Sequence, residues 1–152
     1  MNKDKEGVFF LTGKDFANAG TASSSLKKML EEMKIPPEIV RRAAIAAFEA
    51  EMNTIIYSVA GMMNYCITPE IIRVVLKDVG QGIENIELAM KEGYSTAPDY
   101  IREMGFGSGM GLPNIKRNAD EMNINSTVGE GTTLEFIIYL NKDSKGAKNE
   151  TL

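Results

Sequence analysis

Glu49 and Asn53 stand four residues apart in a segment of helical pattern, so a helix sets both on one face, beside its apolar stripe rather than opposite it. A carboxylate so placed can orient or deprotonate a nucleophile, and an amide oxygen can ligate Mg²⁺, a hard cation that takes oxygen ligands. A solvated helix face uses the same residue types, so the pair alone decides nothing. A second group is DVGQG, Asp78 to Gly82, where a run of Ile, Val and Leu ends. The strand end fixes Asp78, while Gly80 and Gly82 lack the Cβ atoms that would hold a flat ring away from the backbone. A carboxylate there accepts a hydrogen bond from an exocyclic amine and so separates adenine from guanine. The wrong base leaves a desolvated carboxylate unpaired, at a cost of about 1–3 kcal/mol. A plain glycine turn after a strand is the alternative.

The third group is GFGSGMGLPNIKR, Gly105 to Arg117. It is neither a P-loop, which needs Lys and then Ser or Thr after its last glycine, nor a Rossmann turn, which follows an early strand. A helix starting near Leu112 would aim its free N–H groups and positive dipole end back at Gly107, Gly109 and Gly111, which makes an anion site. Lys116, one turn in, is placed to add charge. A mobile linker is the competing reading. Gly129-Glu130-Gly131-Thr132 reads by default as a hairpin turn.

The elements that must position these groups follow from periodicity. VFFLTG (8–13) is expected as a strand, 15–33 as a helix weakened by Gly20 and three serines, and Pro36-Pro37 as the start of a second helix. That helix, about Glu38 to Val59, shows Ile45, Phe48, Met52, Ile55 and Val59 as an apolar stripe, with Gly61 as its stop. MMNYCI and IIRVVLKDV, joined at Thr68-Pro69-Glu70, read as a β-hairpin, and a short helix follows around Ile83 to Met90. The stretch 93–111 is an unusually long loop, a functional lid or a disordered segment. Leu112 to Met122 is expected as helix, INSTV and TLEFIIYL as strands. The pattern predicts an α/β (α+β) sandwich, a mixed but mostly antiparallel sheet with helices on one face.

The chain has 152 residues, which suits a single domain over 1–140 and a polar, unfolded tail over 141–152. With Lys+Arg 17 against Asp+Glu 21 and a net charge of -4, no basic block marks a nucleic-acid partner. No apolar run approaches the roughly 18 residues of a membrane span, and MNKDKEG lacks the apolar stretch of a signal peptide, so the expected location is the cytoplasm. The single cysteine, Cys66, forms no internal disulfide, and the absence of histidine removes His-based acid/base chemistry and phosphohistidine on this chain.

In this order and spacing, E-x-x-x-N on a helix, D-x-G-x-G at a strand end, a glycine-rich lid before a helix and G-x-G-T before the last strand resemble the Bergerat-fold (GHKL) ATPases over roughly 8–140. DVGQGIENIELAMKEGYST followed by GMGLPNIKR looks most like the anti-sigma-factor serine/threonine kinases of bacterial partner-switching systems, the RsbT and RsbW type. That resemblance implies binding of ATP or ADP with Mg²⁺ and phosphorylation of a serine on a small STAS-type antagonist, with a sigma factor as a further protein partner. It implies Glu49 as catalytic base, Asn53 as Mg²⁺ ligand and Asp78 as the adenine contact lined by Gly80 and Gly82. Gly107, Gly109 and Gly111, with Met110, Leu112 and Lys116, would close over the phosphates, and Thr132 would support the adenine end. APDYIREMGF is longer and more charged than the short glycine lid expected of these kinases, a departure that bears on which phosphate acceptor is met. An ATP-shaped binding module with little turnover and a histidine-kinase-like ATPase domain serving a partner chain stay open. Members of such families often pair as homodimers, and no residue here marks an interface.

Overall fold

A computed structural model describes residues 4–104 and 109–141. Gly107 and residues 142–152 therefore lie outside the described residues.

Alternating Val, Phe and Leu give the first strand, β1 (Lys5–Thr12), with Leu11 buried and Phe10 76% exposed on the opposite side. The expected helix over 15–33 is split. A short 3-10 turn, Phe16–Asn18, is followed by α1 (Thr21–Glu32), with Gly20 between them at φ +93°. Only glycine takes that left-handed geometry freely, so the residue expected to weaken the helix instead sets where it begins.

Pro37 opens α2 (Pro37–Tyr57), as its fixed φ allows. The buried face of α2 is not the expected stripe. Ala43, Ala46, Ala47 and Ala50 are buried, Met52 and Ile55 hold their places, Phe48 is 38% exposed and Val59 is 71% exposed. Small side chains let α1, the later helix Gly111–Asn118 and the sheet approach α2 closely, so alanine takes the centre of the contact and larger residues flank it. The helix runs without a loop into β2 (Ser58–Ile67). Gly61 is therefore not the stop but a point of contact inside β2, where a Cβ would fall 2.7 Å from Thr54 Cγ2.

β2 pairs with β3 (Ile71–Gly80) through the expected hairpin, whose turn is closed by Thr68 N donating to Ile71 O at 2.9 Å. The chain then crosses through α3 (Ile86–Ala89), α4 (Asp99–Glu103) and α5 (Gly111–Asn118) to β4 (Glu121–Thr127) and β5 (Gly131–Tyr139). The helix expected to reach Met122 stops at Asn118, and Met122 belongs to β4. The sheet order is β1-β2-β3-β5-β4, and all four pairings are antiparallel. The crossover delivers β4 to the outer edge and the β4–β5 hairpin fills the gap beside β3, so no parallel pairing forms. The α+β architecture is as expected, and the parallel component of a mixed sheet is absent among the described strands.

One face of the sheet, with Met63, Ile67, Ile72, Val74, Leu76, Leu134, Phe136 and Ile138, packs with Leu26, Leu30 and the alanines of α2 into one core. A second cluster joins Met52, Ile55 and Ile56 of α2 to Ala97 and Ile101. Cys66 is half-buried on β2. No described helix is long and apolar enough to cross a membrane.

Candidate functional site

The C-terminal half of α2, the end of β3 and the start of α5 converge on a cavity of about 960 Å³, near the upper end of the roughly 300–1,000 Å³ usual for ligand sites. Its walls include Glu49 and Asn53 from α2, Asp78 and Gly82 from the β3 end, and Thr132 from β5. Gly109, Gly111 and Leu112 close the side at α5. Residues of the three groups that the sequence singled out, as far apart as Glu49 and Leu112, are thus brought together.

Asp78 is held in place from two sides. Thr132 N donates to its Oδ1 at 3.0 Å, and the Ser58 hydroxyl supplies a second hydrogen bond. Burial pushes the carboxyl above its usual range, and the Thr132 and Ser58 bonds pull back in part. Gly131 permits this arrangement, because a Cβ there would lie 2.1 Å from the Asp78 carbonyl oxygen. The Thr132 hydroxyl shares a 2.8 Å bond with Ser126, whose Oγ also accepts from Ile83 N at 2.7 Å. The glycine turn after β3 and the hairpin before β5 are in this way fastened to each other. The GEGT turn, taken by default as an ordinary hairpin, also builds the wall behind Asp78.

The two glycines of this turn differ. Gly82 has φ +75°, and a Cβ would lie 2.5 Å from Thr127 O, so both backbone geometry and space require glycine. Gly80 does not line the cavity. It packs on Ser58, where a Cβ would approach Ser58 Cα to 2.8 Å, and its N–H donates to Glu130 O at 3.1 Å. Gly80 allows β3 to lie against the α2–β2 junction and so brings Ser58 to Asp78.

Glu49, partly exposed, accepts from Asn114 Nδ2 of α5 at 2.6 Å. Glu51, two residues on, is 1% exposed and turned away to another task. It accepts from Gly20 N at 3.0 Å, Ala22 N at 3.3 Å and Ser23 N at 2.9 Å, capping the first turn of α1.

At the glycine-rich stretch, Gly109 has φ +85° and accepts a 3.0 Å bond from Gly93 N, which closes the base of the segment between them. α5 starts at Gly111 with Met110 as N-cap, and Gly111 and Leu112 line the cavity. Pro113 has no N–H to offer, so the helix end contributes fewer donors than a first turn otherwise would. Met110 is half-buried and Lys116 exposed, and neither is among the cavity-lining residues. The segment before this stretch, expected as a long loop, is not wholly one. It contains α4, anchored by Ala97 at 5% exposure and Ile101 at 0% on Met52, Ile55 and Ile56.

Ser58, Asn114 and Ser126 are among the site residues that sequence reasoning missed. Ser58 stands opposite Gly80 in the β2–β3 register, a pairing that the hairpin alone made available.

Residues 14–138 match the family described as "Histidine kinase-like ATPase domain". The chain belongs to this family. An anti-sigma F factor of Anoxybacillus flavithermus is 32% identical over 118 residues, covering 78% of this chain and 74% of the relative. An anti-sigma F factor of Clostridium acetobutylicum is 32% identical over 139 residues, covering 88% and 92%. The serine/threonine-protein kinase RsbT of Bacillus subtilis is 38% identical over 69 residues, covering 45% and 46%. Of these three, the two that span most of both chains are anti-sigma factors, while the RsbT match is higher in identity but covers less than half of either chain. The histidine kinase-like ATPase family supplies the expected ATP-binding fold.

Proposed function

We propose that this chain is an ATP-dependent protein serine/threonine kinase acting as an anti-sigma regulator in the cytoplasm, with a serine of a small STAS-type antagonist as phosphate acceptor. The observation that supports this most directly is Glu49 in the same cavity wall as Asn53, with Asp78 across the cavity in a half-buried pocket. A nucleotide-binding switch needs the adenine contact and the phosphate end; a carboxylate beside them is what transfer adds.

Asp78 would accept the adenine amine, with Thr132 and Ser58 holding its carboxylate to that task. The backbone at Gly109, Gly111 and Leu112 would meet the phosphates, joined by Gly107 from outside the described residues. Asn53 offers an amide oxygen in the cavity, and no cluster of acidic residues able to hold a metal by itself exists among the described residues. That donor set fits Mg²⁺, which commonly takes one or two protein ligands and completes its shell with phosphates and water. When bound it would neutralise charge on the phosphates. Glu49 would accept the proton of the serine hydroxyl as its oxygen attacks the γ-phosphorus, the bond from that phosphorus to the β-bridging oxygen breaks, and ADP leaves.

The test is calorimetry with ATP and GTP, followed by transfer of labelled γ-phosphate to a STAS-type antagonist protein. ATP binds and GTP binds at least about tenfold more weakly, since an unpaired buried carboxylate costs about 1–3 kcal/mol. Glu49→Ala keeps ATP affinity and loses transfer by about 100-fold or more, the usual worth of a positioned base. Equal affinity for the two nucleotides refutes the adenine assignment. Unchanged transfer in Glu49→Ala removes that residue from the chemistry.

A further inference from the structure

Asn114 donates from Nδ2 to Glu49 Oε2 at 2.6 Å and accepts on Oδ1 from Arg117 Nη1 at 3.1 Å. Arg117 in turn pairs with Glu92, the neighbour of Gly93 at the base of the segment that closes on Gly109. We infer that Asn114 is a positioning residue for the Glu49 carboxylate and that Arg117 and Glu92 tie that positioning to the base of the loop bordering the cavity. The inference rests on the kinase reading above and adds to it a residue to which the sequence reading gave no role.

The chemistry of the position favours an amide. The Glu49 side requires a donor and the Arg117 side an acceptor, so both neighbours fix the same orientation of the Asn114 amide. Aspartate has the same shape but no donor in its ionised form, and would set a second carboxylate against Glu49. An aliphatic residue would answer neither neighbour. The Asn114 backbone is itself held, its N–H donating to Met110 O at 2.9 Å and its carbonyl accepting from Asn118 Nδ2 at 2.8 Å. The amide therefore projects from a fixed point on α5.

Glu49 has no other hydrogen-bond partner among the described residues. One oxygen is occupied by Asn114, which leaves the other to receive the proton of an incoming hydroxyl. Without that bond the carboxylate gains rotamer freedom, and a displacement of about 1 Å at a reacting group can cost about 100-fold in rate. The Arg117–Glu92 pair is half-exposed at 51% and 60%, so its contribution is to direct the guanidinium rather than to stabilise the fold.

The experiment uses the full chain with labelled ATP and a STAS-type antagonist protein as acceptor, comparing Asn114→Asp, Asn114→Ala and Asn114→Gln after thermal melts establish that each is folded. Transfer at saturating ATP falls about tenfold or more in the Asp and Ala variants, ATP affinity stays within about threefold, and Gln recovers part of the rate. Adding Asn114→Asp to Glu49→Gln slows transfer no further, as expected of residues acting as one unit. A wild-type rate in Asn114→Asp, a parallel loss of rate and ATP affinity, or additive effects in the double variant overturns the inference alone. Absence of transfer by the wild type overturns the kinase reading and the inference with it, whereas full transfer by Glu49→Ala leaves kinase activity standing, removes Glu49 from the chemistry and overturns the inference.

Discussion

The E-A-E sequence of α2 offers two carboxylates, Glu49 and Glu51, and the structure assigns them opposite tasks that a single pair of variants separates. Glu51→Ala removes the acceptor of three backbone N–H groups at the start of α1, and the bonds from Ala22 and Ser23 are buried. Each buried donor left without a partner costs about 1–3 kcal/mol, and loss of a helix cap typically costs about 1 kcal/mol. These overlap, since the same donors are counted in both, so the expected loss is about 3–5 kcal/mol. At about 2–4 °C per kcal/mol for a chain of this size, the melting temperature falls by about 6–20 °C. Glu51→Gln keeps one acceptor oxygen but turns an amide N–H₂ toward a backbone donor, for a loss of about 1–3 kcal/mol. Glu49→Gln, whose side chain makes one partly buried bond, changes stability by no more than about 1.5 kcal/mol. The assay is urea unfolding, read as a shift in midpoint at unchanged slope, beside transfer measured where every variant is folded. The reasoning fails if Glu51→Ala unfolds within about 1 kcal/mol of wild type, or if Glu49→Gln destabilises as much as Glu51→Ala.

Two further predictions follow from the backbone and charge of the site. Because burial raises the Asp78 pKa in the fold, the protonated form is favoured there: its stabilising contribution is present below the unfolded pKa and lost as pH rises through the folded value, so ionised Asp78 costs stability at neutral pH. Asp78→Asn therefore melts no lower than wild type at pH 7, its advantage shrinking toward acid, while ATP affinity drops severely; a lower melting temperature at pH 7 refutes this, as does undiminished binding. In wild type, ATP affinity weakens as pH falls through the raised Asp78 value. Gly109→Ala and Gly129→Ala impose the same positive φ, +85° and +83°, but only at 109 would a Cβ clash, 2.5 Å from the Gly93 carbonyl carbon. Gly109→Ala weakens ATP binding about tenfold or more while Gly129→Ala does not, and equal effects in calorimetry would show that closure at Gly93 is not what matters.

Much of the architecture could be read from the sequence because it is written locally. Thr68-Pro69-Glu70 between two strand-like runs fixes a hairpin, Pro37 fixes the start of α2, and Asp78 followed by two alternate glycines marks a strand end opening on a turn. What escaped were contacts across long stretches of chain between unremarkable residue types. Asn114 meets Glu49 from 65 positions away, and Glu51 reaches α1 from 28 to 31 positions away. Neither amide nor carboxylate signals its partner through spacing. The α2 stripe misled for a different reason: hydrophobic periodicity weighs side-chain size, whereas the centre of a tight three-way contact selects alanine, and the large residues mark the flanks.

The segment from Gly93 to Met104 shows the same limit. From Gly93 onward its composition suggests only a long loop, yet Ala97 and Ile101 are buried against Met52, Ile55 and Ile56, and its base is closed by the Gly93–Gly109 bond. Two buried residues in a polar stretch give no period to detect. Met52 and Ile56 face both ways, lining the cavity and receiving the α4 anchor, so α2 serves as the wall of the site and the dock of the segment beside it. Ala97 and Ile101 thus have a defined seat on the helix that presents Glu49 and Asn53. Tyr100 and Met104 of the same segment are 56% and 47% exposed, while Ile101 is buried between them. One side of α4 is spent on the fold and another is left to solvent. Residues 97–104 are consequently a seated part of the fold beside the cavity rather than a slack connection, and substitutions there separate into those that unseat α4, such as at Ile101, and those that alter only its outer surface.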